Sequence, residues 1–369
     1  MLYTIKILFN NPTRLLLTVT GISLCMILML FLFGIYKGVA DGSVEYIREN
    51  KADLWVLQRN ATNILRGSSM LPALQKDLIE NDESVENASP VLLMITSIKN
   101  SKNHSSIFLA GYDHESGLGG PPKLINGRNI SSDNEIVLDN SFAQSNDFKV
   151  GDIVVILDDT LTVTGLSTGT NAFVIQYAFT TLDEAESLLG MPDIVTCYLV
   201  RTNVGADLNQ TAERLQSKLT GSVVYDHSEF LANNVKEMES GFLPILYAIA
   251  ALGAIVLTTV LSLILSINIL ERKKDFAVMK ILGSPSGFLP KLIIQQALFI
   301  SVTSGILSVL LYFPLVKVIE MSSPEVSTVT TASQILIVLA VGLLMGLLSS
   351  LIALSRLRKI YPLEVFYER

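Results

Sequence analysis

The chain is poor in the residues on which most enzyme sites depend. Its 369 residues include two cysteines, three histidines and one tryptophan, and only 17% are charged. Cys25 lies inside a long apolar run, which argues against a disulfide with Cys197. The histidines have no spacing typical of a zinc site, and no G-x-x-x-x-G-K-[ST] phosphate loop occurs. We therefore predict no catalytic, cofactor-binding or metal-binding residues, and no nucleotide hydrolysis by this chain.

An excess of positive charge is also missing. The 27 Lys and Arg residues face 34 Asp and Glu residues, which gives a net charge of −7. This balance argues against a nucleic-acid partner bound through a basic surface. The chain is 50% hydrophobic with a mean hydropathy of +0.48, which is too apolar for an ordinary soluble domain.

Four long stretches contain no charged residue at all. About 20 apolar residues suffice to cross the hydrocarbon core as a helix, so each stretch can span a membrane. We predict transmembrane helices at 15–36, 240–270, 292–316 and 326–355. The first stretch is too long for a cleaved signal peptide and lacks an A-x-A-like site after it, so we expect it to be retained. Because the four stretches hold no ionisable side chain, ion-coupled transport is disfavoured.

The basic residues close to these stretches predict their orientation. Positive charge concentrates in segments on the cytoplasmic side of a membrane. The segment 271–291 contains Arg272, Lys273, Lys274, Lys280 and Lys291, and the ends 1–14 and 356–369 are also basic. The short segment 317–325 holds one lysine and two glutamates. We therefore predict cytoplasmic termini, a cytoplasmic loop at 271–291, and external segments at 37–239 and 317–325.

The large segment 37–239 has the composition of a folded, soluble domain. It carries 15 basic and 28 acidic residues, a net charge of −13. Strand-like runs lie at 54–57, 91–98, 107–109, 136–138, 153–157, 161–164 and 196–200. Apolar residues at helical spacing occur at 70–81, 182–189 and 208–219. We predict an α+β domain inserted between the first and second transmembrane helices. The glycines at 117, 119 and 120 indicate a turn.

The cytoplasmic loop begins with a short amphipathic segment. Phe276, Met279 and Gly283 fall at positions i, i+3 and i+7, with charged residues around them, and a Gly-Ser-Pro sequence ends the helix. Such a helix lies at the lipid headgroups or inserts into a groove of a partner protein. The pattern alone leaves both interpretations open.

Several motifs in order resemble one known family. The sequence Glu271 to Ser284, ERKKDFAVMKILGS, is similar to the E-R-[RK]-x-E-[FIL]-A-[VI]-[ML]-[RK]-x-[LI]-G-[AS] coupling segment of the MacB/FtsX-type permeases of the type VII ABC superfamily, with Asp275 in place of the usual Glu. The start of the first span from Arg14 to Ile22 and the sequence Ile360 to Glu364 resemble the same family. So does the run from Asn134 to Leu166. Residues 53–56 and 63–68 resemble the DevC-like branch, which has no fused ATPase.

The resemblance implies a division of labour between subunits. The resemblance implies that this chain is a non-catalytic permease of the bacterial plasma (inner) membrane, paired with itself or a paralogue. A separate ABC ATPase would bind ATP and Mg²⁺ and dock on Glu271, Arg272, Lys273, Asp275, Phe276, Met279, Lys280, Leu282 and Gly283. The expected activity is export or extraction of a lipid, lipoprotein, peptide or drug. A periplasmic adaptor with an outer-membrane channel is an optional further partner. The alternative function is that of an FtsX-like or sensor-type scaffold, which regulates an external hydrolase or response.

The helices that join the membrane to the inserted domain are predicted to form a stalk. A helix over the 31-residue stretch 240–270 would be about 46 Å long, which exceeds the hydrocarbon core by about 16 Å. Apolar residues continue from the end of the first span at Ile35, Val39 and Tyr46, and they precede the second span at Leu231, Val235 and Met238. These two stripes favour a paired stalk, although ordinary packing of each helix against the inserted domain would produce the same pattern.

Overall fold

Long helices lie towards both ends of the described part of the chain, and strands lie between them. The computed structural model describes residues 8–64, 69–99, 104–157, 159–170, 175–271, 273–285, 287–323 and 328–357. Within these ranges the helices are α1 (Pro12–Glu49), α2 (Gln75–Glu80), α3 (Asn140–Ser145), α4 (Leu182–Leu189), α5 (Leu208–Lys218), α6 (His227–Glu271), α7 (Lys273–Ile281), α8 (Phe288–Ser322) and α9 (Ala332–Leu357). The strands are β1 (Leu54–Gln58), β2 (Leu71–Pro72), β3 (Val85–Lys99), β4 (His104–Tyr112), β5 (Lys123–Gly127), β6 (Glu135–Asp139), β7 (Ile153–Ile156), β8 (Asp159–Thr168), β9 (Gln176–Thr181), β10 (Ile194–Val195), β11 (Cys197–Thr202) and β12 (Ser222–Asp226).

The chain divides into two compact units. The membrane unit consists of Met1–Lys37, Leu243–Val318 and Thr328–Arg369, and the insertion domain consists of Gly38–Phe242 with Ile319–Ser327. Helices α1 and α6 are each continuous across this division. At 1.5 Å per residue, α1 is about 57 Å long and α6 about 68 Å long, against about 30 Å for a hydrocarbon core. Each helix is therefore long enough to cross a bilayer and continue beyond it.

Four helical segments are long and apolar enough to cross a membrane. They are Pro12–Glu49, Leu243–Glu271, Phe288–Ser322 and Ala332–Ser355. Helix α8 continues to Ser322, into the segment predicted as an external loop at 317–325. Residues 317–322 contain no glycine or proline, so nothing in their propensity stops the helix earlier. The fourth charge-free stretch begins at Val326, whereas α9 begins at Ala332.

Small residues allow the helices of the membrane unit to approach closely. A Cβ on Gly346 of α9 would lie 2.1 Å from Ser301 Oγ of α8, and one on Gly342 would lie 2.6 Å from Met26 Cε of α1. Met26 and Ile293 belong to the apolar cluster shared by these helices. Close backbone approach at glycine and serine is the usual packing mode of helices in lipid.

A mixed sheet forms the centre of the insertion domain. Ten strands take part, and nine of them follow the order β12-β1-β11-β3-β4-β9-β6-β8-β5, while β7 pairs with β3 and β8. The longest pairing joins β3 and β4 antiparallel from Val91–Tyr112 to Lys99–His104. The β4–β9 and β6–β8 pairs are parallel. A separate pair, β2 and β10, lies outside this sheet.

Alternate residues of the strands fill two different layers of core. Trp55 of β1 lies on one face of the sheet, in a cluster that also contains Tyr46 of α1, Phe179 of β9 and Phe230 of α6. We name this cluster the stalk-side core. Val56 points to the opposite face, where it packs with helices α2 and α5, and helices α3 and α4 cover the neighbouring part of that face. This alternation is the period of two expected of strands covered on both faces.

The predicted fold class is confirmed, with local corrections. All seven predicted strand runs fall in or beside strands, and the helices predicted at 182–189 and 208–219 are present as α4 and α5. The helix predicted at 70–81 is wrong over its first part, because Leu71–Pro72 pairs with Ile194–Val195 and only Gln75–Glu80 is helical. The glycine segment is a turn, with positive φ at Gly117 and Gly119.

Candidate functional site

The predicted coupling segment contains a helix with a defined end. Glu271 is the last residue of α6, and α7 follows as a separate helix. Gly283 adopts a φ of +82°, a left-handed conformation that favours glycine. The Ser284 N–H donates to the Met279 carbonyl at 3.0 Å. This arrangement is a Schellman cap, which explains why the Gly-Ser sequence ends the helix there.

The apolar side chains of α7 divide between a packed face and an exposed one. Ala277 is buried, and Met279 packs half-buried against the apolar cluster of the membrane unit. Val278, Ile281 and Leu282 are 42%, 62% and 80% exposed. Of the predicted docking residues, Arg272 and the side chains of Lys273, Asp275, Phe276 and Lys280 lie outside the described part of the structure. The exposed apolar surface at the end of α7 therefore includes Leu282, the residue that directly follows the helix, whereas Met279 packs against the chain's own apolar cluster.

Two of the sequence motifs meet at an ion pair. Arg14 of α1 donates to both carboxylate oxygens of Glu271, at 2.5 and 2.7 Å. Both side chains are partly exposed. The pair joins the N-terminal part of α1 to the last residue of α6, directly before α7.

The C-terminal end of α1 lies inside the insertion domain. Tyr46 is fully buried and stacks on Tyr177, with ring centroids 4.8 Å apart. Its hydroxyl donates to the Gly119 carbonyl at 2.8 Å. Asn50 Oδ1 accepts from the Gly119 N–H at 2.9 Å. Of the other predicted stalk residues of α1, Val39 is buried and Ile35 half-buried.

The N-terminal end of α6 enters the same core. The Phe230 ring stacks on Trp55 at 4.8 Å, and the Asn234 Oδ1 accepts from the Ile64 N–H at 3.2 Å. The predicted residue Leu231 packs against the stalk-side core, while Val235 and Met238 are half-buried. Tyr46 of α1 and Phe230 of α6 therefore belong to one apolar cluster.

The sequence predicted Tyr46 as a stalk residue but did not single out Asn50, Gly119, Phe230 or Asn234 as residues of the stalk contacts. Asn50, Phe230, Asn234 and Gly119 are all buried, and each takes part in one of the contacts described above. A signal was available, because Tyr46-x-x-x-Asn50 and Phe230-x-x-x-Asn234 are two aromatic–Asn pairs at i, i+4 spacing, one at each end of the inserted segment. Apolar spacing alone does not mark the two asparagines, because their side chains are polar.

Two ion-pair sites stabilise the surface of the insertion domain. Arg214 and Lys218 of α5 bind the carboxylate of Asp82, which holds its pKa well below the usual range. Arg128 forms a two-pronged contact with Glu135 and lowers its pKa to about 2. Hydrogen bonds to an ionised carboxylate favour the charged form.

An acidic cleft of about 580 Å³ is present in the insertion domain. It is lined by Lys76 and His114 together with the carboxylates of Asp113, Glu115, Asp133, Asp183, Glu186 and Asp193. Burial, and the nearby Asp183 and Asp193, raise the pKa of Glu186. Among the described residues, no three His, Cys, Asp or Glu side chains are arranged to hold a metal ion.

Comparisons with known proteins agree with this architecture. A family model described as MacB-like periplasmic core domain matches residues 15–218, and one described as FtsX-like permease C-terminal matches residues 244–362. A Staphylococcus haemolyticus protein that carries the name hemin transport system permease protein HrtB is 21% identical over 340 residues, 91% of each chain. An uncharacterised ABC transporter permease of Mycobacterium tuberculosis is 22% identical over 357 residues, 96% of this chain and 95% of that one.

Two solved structures are similar to part of the chain. The periplasmic region of MacB from Actinobacillus actinomycetemcomitans is 13% identical with a TM-score of 0.40, and covers 49% of this chain and 92% of that one. The extracellular domain of the ABC-type transporter YknZ from Gram-positive bacteria is 11% identical with a TM-score of 0.38, and covers 47% and 99%.

The architecture defines a class: a helical membrane protein with a large α+β domain between its first and second spanning helices. Because the MacB-like model covers more than half of the chain and the FtsX-like model most of the remainder, the chain belongs to the MacB/FtsX-type ABC transporter permeases.

Proposed function

We propose that the chain is a permease subunit that converts ATP hydrolysis by a separate ABC ATPase into movement of the insertion domain outside the membrane. The observation that carries this proposal is the continuity of α1 and α6, which run from the membrane unit into the stalk-side core. A rigid helix carries a displacement at one end to its other end. In this proposal α1 and α6 act as the stalk.

The orientation follows from charge. The five basic residues of 271–291 support a cytoplasmic α7 by the positive-inside rule, with both termini on the same side. The insertion domain then lies outside the bacterial plasma membrane. The strongly acidic composition of residues 37–239 is compatible with an aqueous compartment.

The ATPase docks on α7 in this proposal. Val278, Ile281 and Leu282 form an apolar surface next to a capped helix end, which suits insertion into a groove of a partner protein. The Arg14–Glu271 pair would then pass a displacement of α7 to both α1 and α6. ATP and Mg²⁺ would bind to the partner ATPase, and the permease would pair with a second copy or a paralogue.

The transported substrate is proposed only as a class. Lipids, lipoproteins, peptides and drugs are the substrates that the family resemblance suggests, and the name of the Staphylococcus haemolyticus relative adds hemin. A periplasmic adaptor and an outer-membrane channel would be needed only if the substrate crosses a second membrane.

The test is affinity purification of the tagged full-length chain from its native cells, followed by mass spectrometry and an ATPase assay. We expect recovery of an ABC ATPase with wild type. Leu282→Asp should lower its recovery more than about tenfold, because burying an unpaired carboxylate in an apolar contact costs more than about 1.4 kcal/mol. Val204→Asp, in a fully exposed loop of the insertion domain, is the matched control. Recovery of no ATPase from folded wild type, or equal recovery with Leu282→Asp, would overturn the proposal.

Substitutions at Met279 and Gly283 provide a second test, with transport as the measured quantity. Met279→Asp would place a charge against the chain's own apolar cluster, and Gly283→Pro cannot adopt a φ of +82°. We expect both variants to lose ATP-dependent transport. Leu282→Asp changes the exposed docking surface, whereas these two variants change the packing or the end of α7. Comparing them separates loss of docking from displacement of the helix.

A further inference from the structure

Two aromatic–asparagine pairs with the same spacing connect the stalk helices to the insertion domain. We propose that Tyr46 with Asn50, and Phe230 with Asn234, are anchors through which α1 and α6 move two specific backbone segments, at Gly119 and Ile64. This inference rests on the proposed function and adds the residues at which helix motion enters the domain.

The first anchor holds both backbone groups of Gly119. The Tyr46 hydroxyl donates to the Gly119 carbonyl, and Asn50 Oδ1 accepts from the Gly119 N–H. Asn50 Nδ2 donates back to the Tyr46 carbonyl at 2.8 Å, which fixes the orientation of the amide. These bonds are buried, so water cannot replace them when the helix shifts.

The second anchor repeats the asparagine contacts of the first, without a hydroxyl on its aromatic ring. Asn234 Nδ2 donates to the Phe230 carbonyl at 2.8 Å, four residues earlier, while Asn234 Oδ1 accepts from the Ile64 N–H. Phe230 and Tyr46 both lie in the stalk-side core. Directly after α1 and within α6, therefore, one asparagine amide bonds to the preceding helical turn through Nδ2 and to a distant backbone N–H through Oδ1.

Asparagine has the chemistry that this position needs. Its side chain carries an acceptor and a donor on one short planar group, and the helix carbonyl it contacts has a second lone pair available. Leucine has a similar shape but neither function, and aspartate keeps the acceptor but loses the donor. The Oδ1 acceptor should thus be the group that links helix to loop.

The Gly119 turn connects the first anchor to the centre of the sheet. Ser89 Oγ of β3 donates to the Leu118 carbonyl at 3.1 Å. A Cβ on Gly119 would lie 2.4 Å from Val91 of β3, and one on Gly120 would contact the Tyr112 ring of β4. Displacement of α1 would consequently reach the longest strand pair of the domain. The second anchor acts on the segment that follows β1, where Ala61 and Ile64 pack into the stalk-side core.

Hydrogen–deuterium exchange on the full-length permease with its ATPase tests this inference. We compare peptides that contain Gly119 and Ile64 with and without a non-hydrolysable ATP analogue and Mg²⁺. In wild type we expect nucleotide-dependent changes in both. In Asn50→Leu the response at Gly119 should fall below about half of wild type, with the response at Ile64 kept, because a buried N–H loses its acceptor. Asn234→Leu should give the reverse.

Two further sets of variants separate an anchor from a merely structural residue. Asn50→Asp and Asn234→Asp keep the acceptor and should keep the nucleotide response. Glu49→Ala and Asn233→Ala, the residues beside each anchor, should leave both responses unchanged. If the Leu variants unfold, the Asp variants decide, since loss of their response in a folded protein would contradict the proposal.

The outcomes distinguish a failure of the anchors from a failure of the proposed function. Equal responses in wild type and in both Leu variants would overturn the anchors and leave the proposed function intact. Absence of any nucleotide response in the wild-type complex would overturn the proposed function, and the anchors with it.

Discussion

Arg14 and Glu271, 257 residues apart in the chain, form a two-pronged ion pair. Each guanidinium nitrogen involved donates to a different carboxylate oxygen, a geometry that fixes orientation as well as distance. Arg14 lies near the start of α1 and Glu271 at the end of α6. The two helices that share the stalk-side core are therefore also joined directly before α7.

Charge reversal tests whether this pair contributes to coupling. Arg14→Glu and Glu271→Arg each place like charges opposite one another, and each should reduce nucleotide-stimulated transport up to about fivefold, since partly exposed pairs are individually weak. The double variant restores an opposite-charge pair and should recover more than half of the lost activity. A double variant as impaired as the product of the two single effects would show that the contact is incidental.

Close packing between α8 and α9 leads to a prediction about stability. Gly346→Ala should destabilise the membrane unit by about 1 to 3 kcal/mol, because its Cβ would overlap Ser301 Oγ. Ser301 Oγ has no hydrogen-bond partner among the described residues, so Ser301→Ala removes the obstacle without losing a bond. The double variant should recover part of the loss in thermal unfolding. Gly21→Ala, whose Cβ meets no atom within 4 Å, is the control.

Glu135 gives a pH dependence of known sign. Its folded pKa is about 2, below the usual value of about 4.3, so its stabilising effect is present above pH 5 and is lost as the pH falls towards 2. Trp55, the sole tryptophan and fully buried, reports unfolding of the insertion domain by fluorescence. Between pH 6 and pH 3, wild type should lose more stability against denaturant than Glu135→Gln.

The comparison with Glu135→Gln also removes the contributions of other carboxylates. Burial raises the pKa of Asp139, so its titration has the opposite sign, while that of Asp82 has the same sign. Both are present in wild type and variant and cancel in the difference. Parallel stability curves for the two proteins would contradict the assignment of a low pKa to Glu135.

Gly119 should tolerate alanine poorly for two separable reasons. Its φ of +85° is costly for alanine, and the new Cβ would overlap Val91 Cγ2. The expected loss is about 2 to 4 kcal/mol, measured by denaturant unfolding with Trp55 fluorescence. Gly205 has a similar φ of +89° with no atom within 4 Å of its Cβ, so Gly205→Ala should cost only about 1 to 2 kcal/mol. Equal losses would mean that the overlap with Val91 is relieved at no cost.

The sequence predicted what depends on local pattern and composition. Three of the four charge-free stretches lie wholly within long helices, and the Gly283 helix end was visible as a Gly-Ser-Pro sequence. Strand β9 was missed because all six of its residues are buried between β4 and β6, so no alternation marks it. Residues 70–81 have helical spacing, but tertiary pairing of β2 with β10 overrides this local preference.

The anchors could not be derived from local pattern because their partners are distant. Asn50 bonds to an amide 69 residues away, and Asn234 to one 170 residues away. From the sequence alone, a polar residue within an apolar stripe is assigned to a solvent-facing position, because its buried hydrogen-bond partner is visible only in the fold. The i, i+4 repetition of aromatic and asparagine at both ends of the insertion becomes meaningful only once both helices are seen in the same core.

Pro244 provides a test of helix stiffness in α6. It lies inside the helix, two residues after the insertion domain ends at Phe242, and it cannot donate to the Ser240 carbonyl. Pro244→Ala restores that donor, and alanine is favoured over proline in a helix interior by about 3 kcal/mol. We expect a higher unfolding temperature and, because a stiffer α6 transmits the displacement better, a larger nucleotide-dependent exchange response at Ile64. Pro290→Ala, in the first turn of α8 where no intrahelical bond is lost, should change neither quantity. An unchanged response at Ile64 in a more stable Pro244→Ala protein would show that α6 transmits displacement independently of its proline.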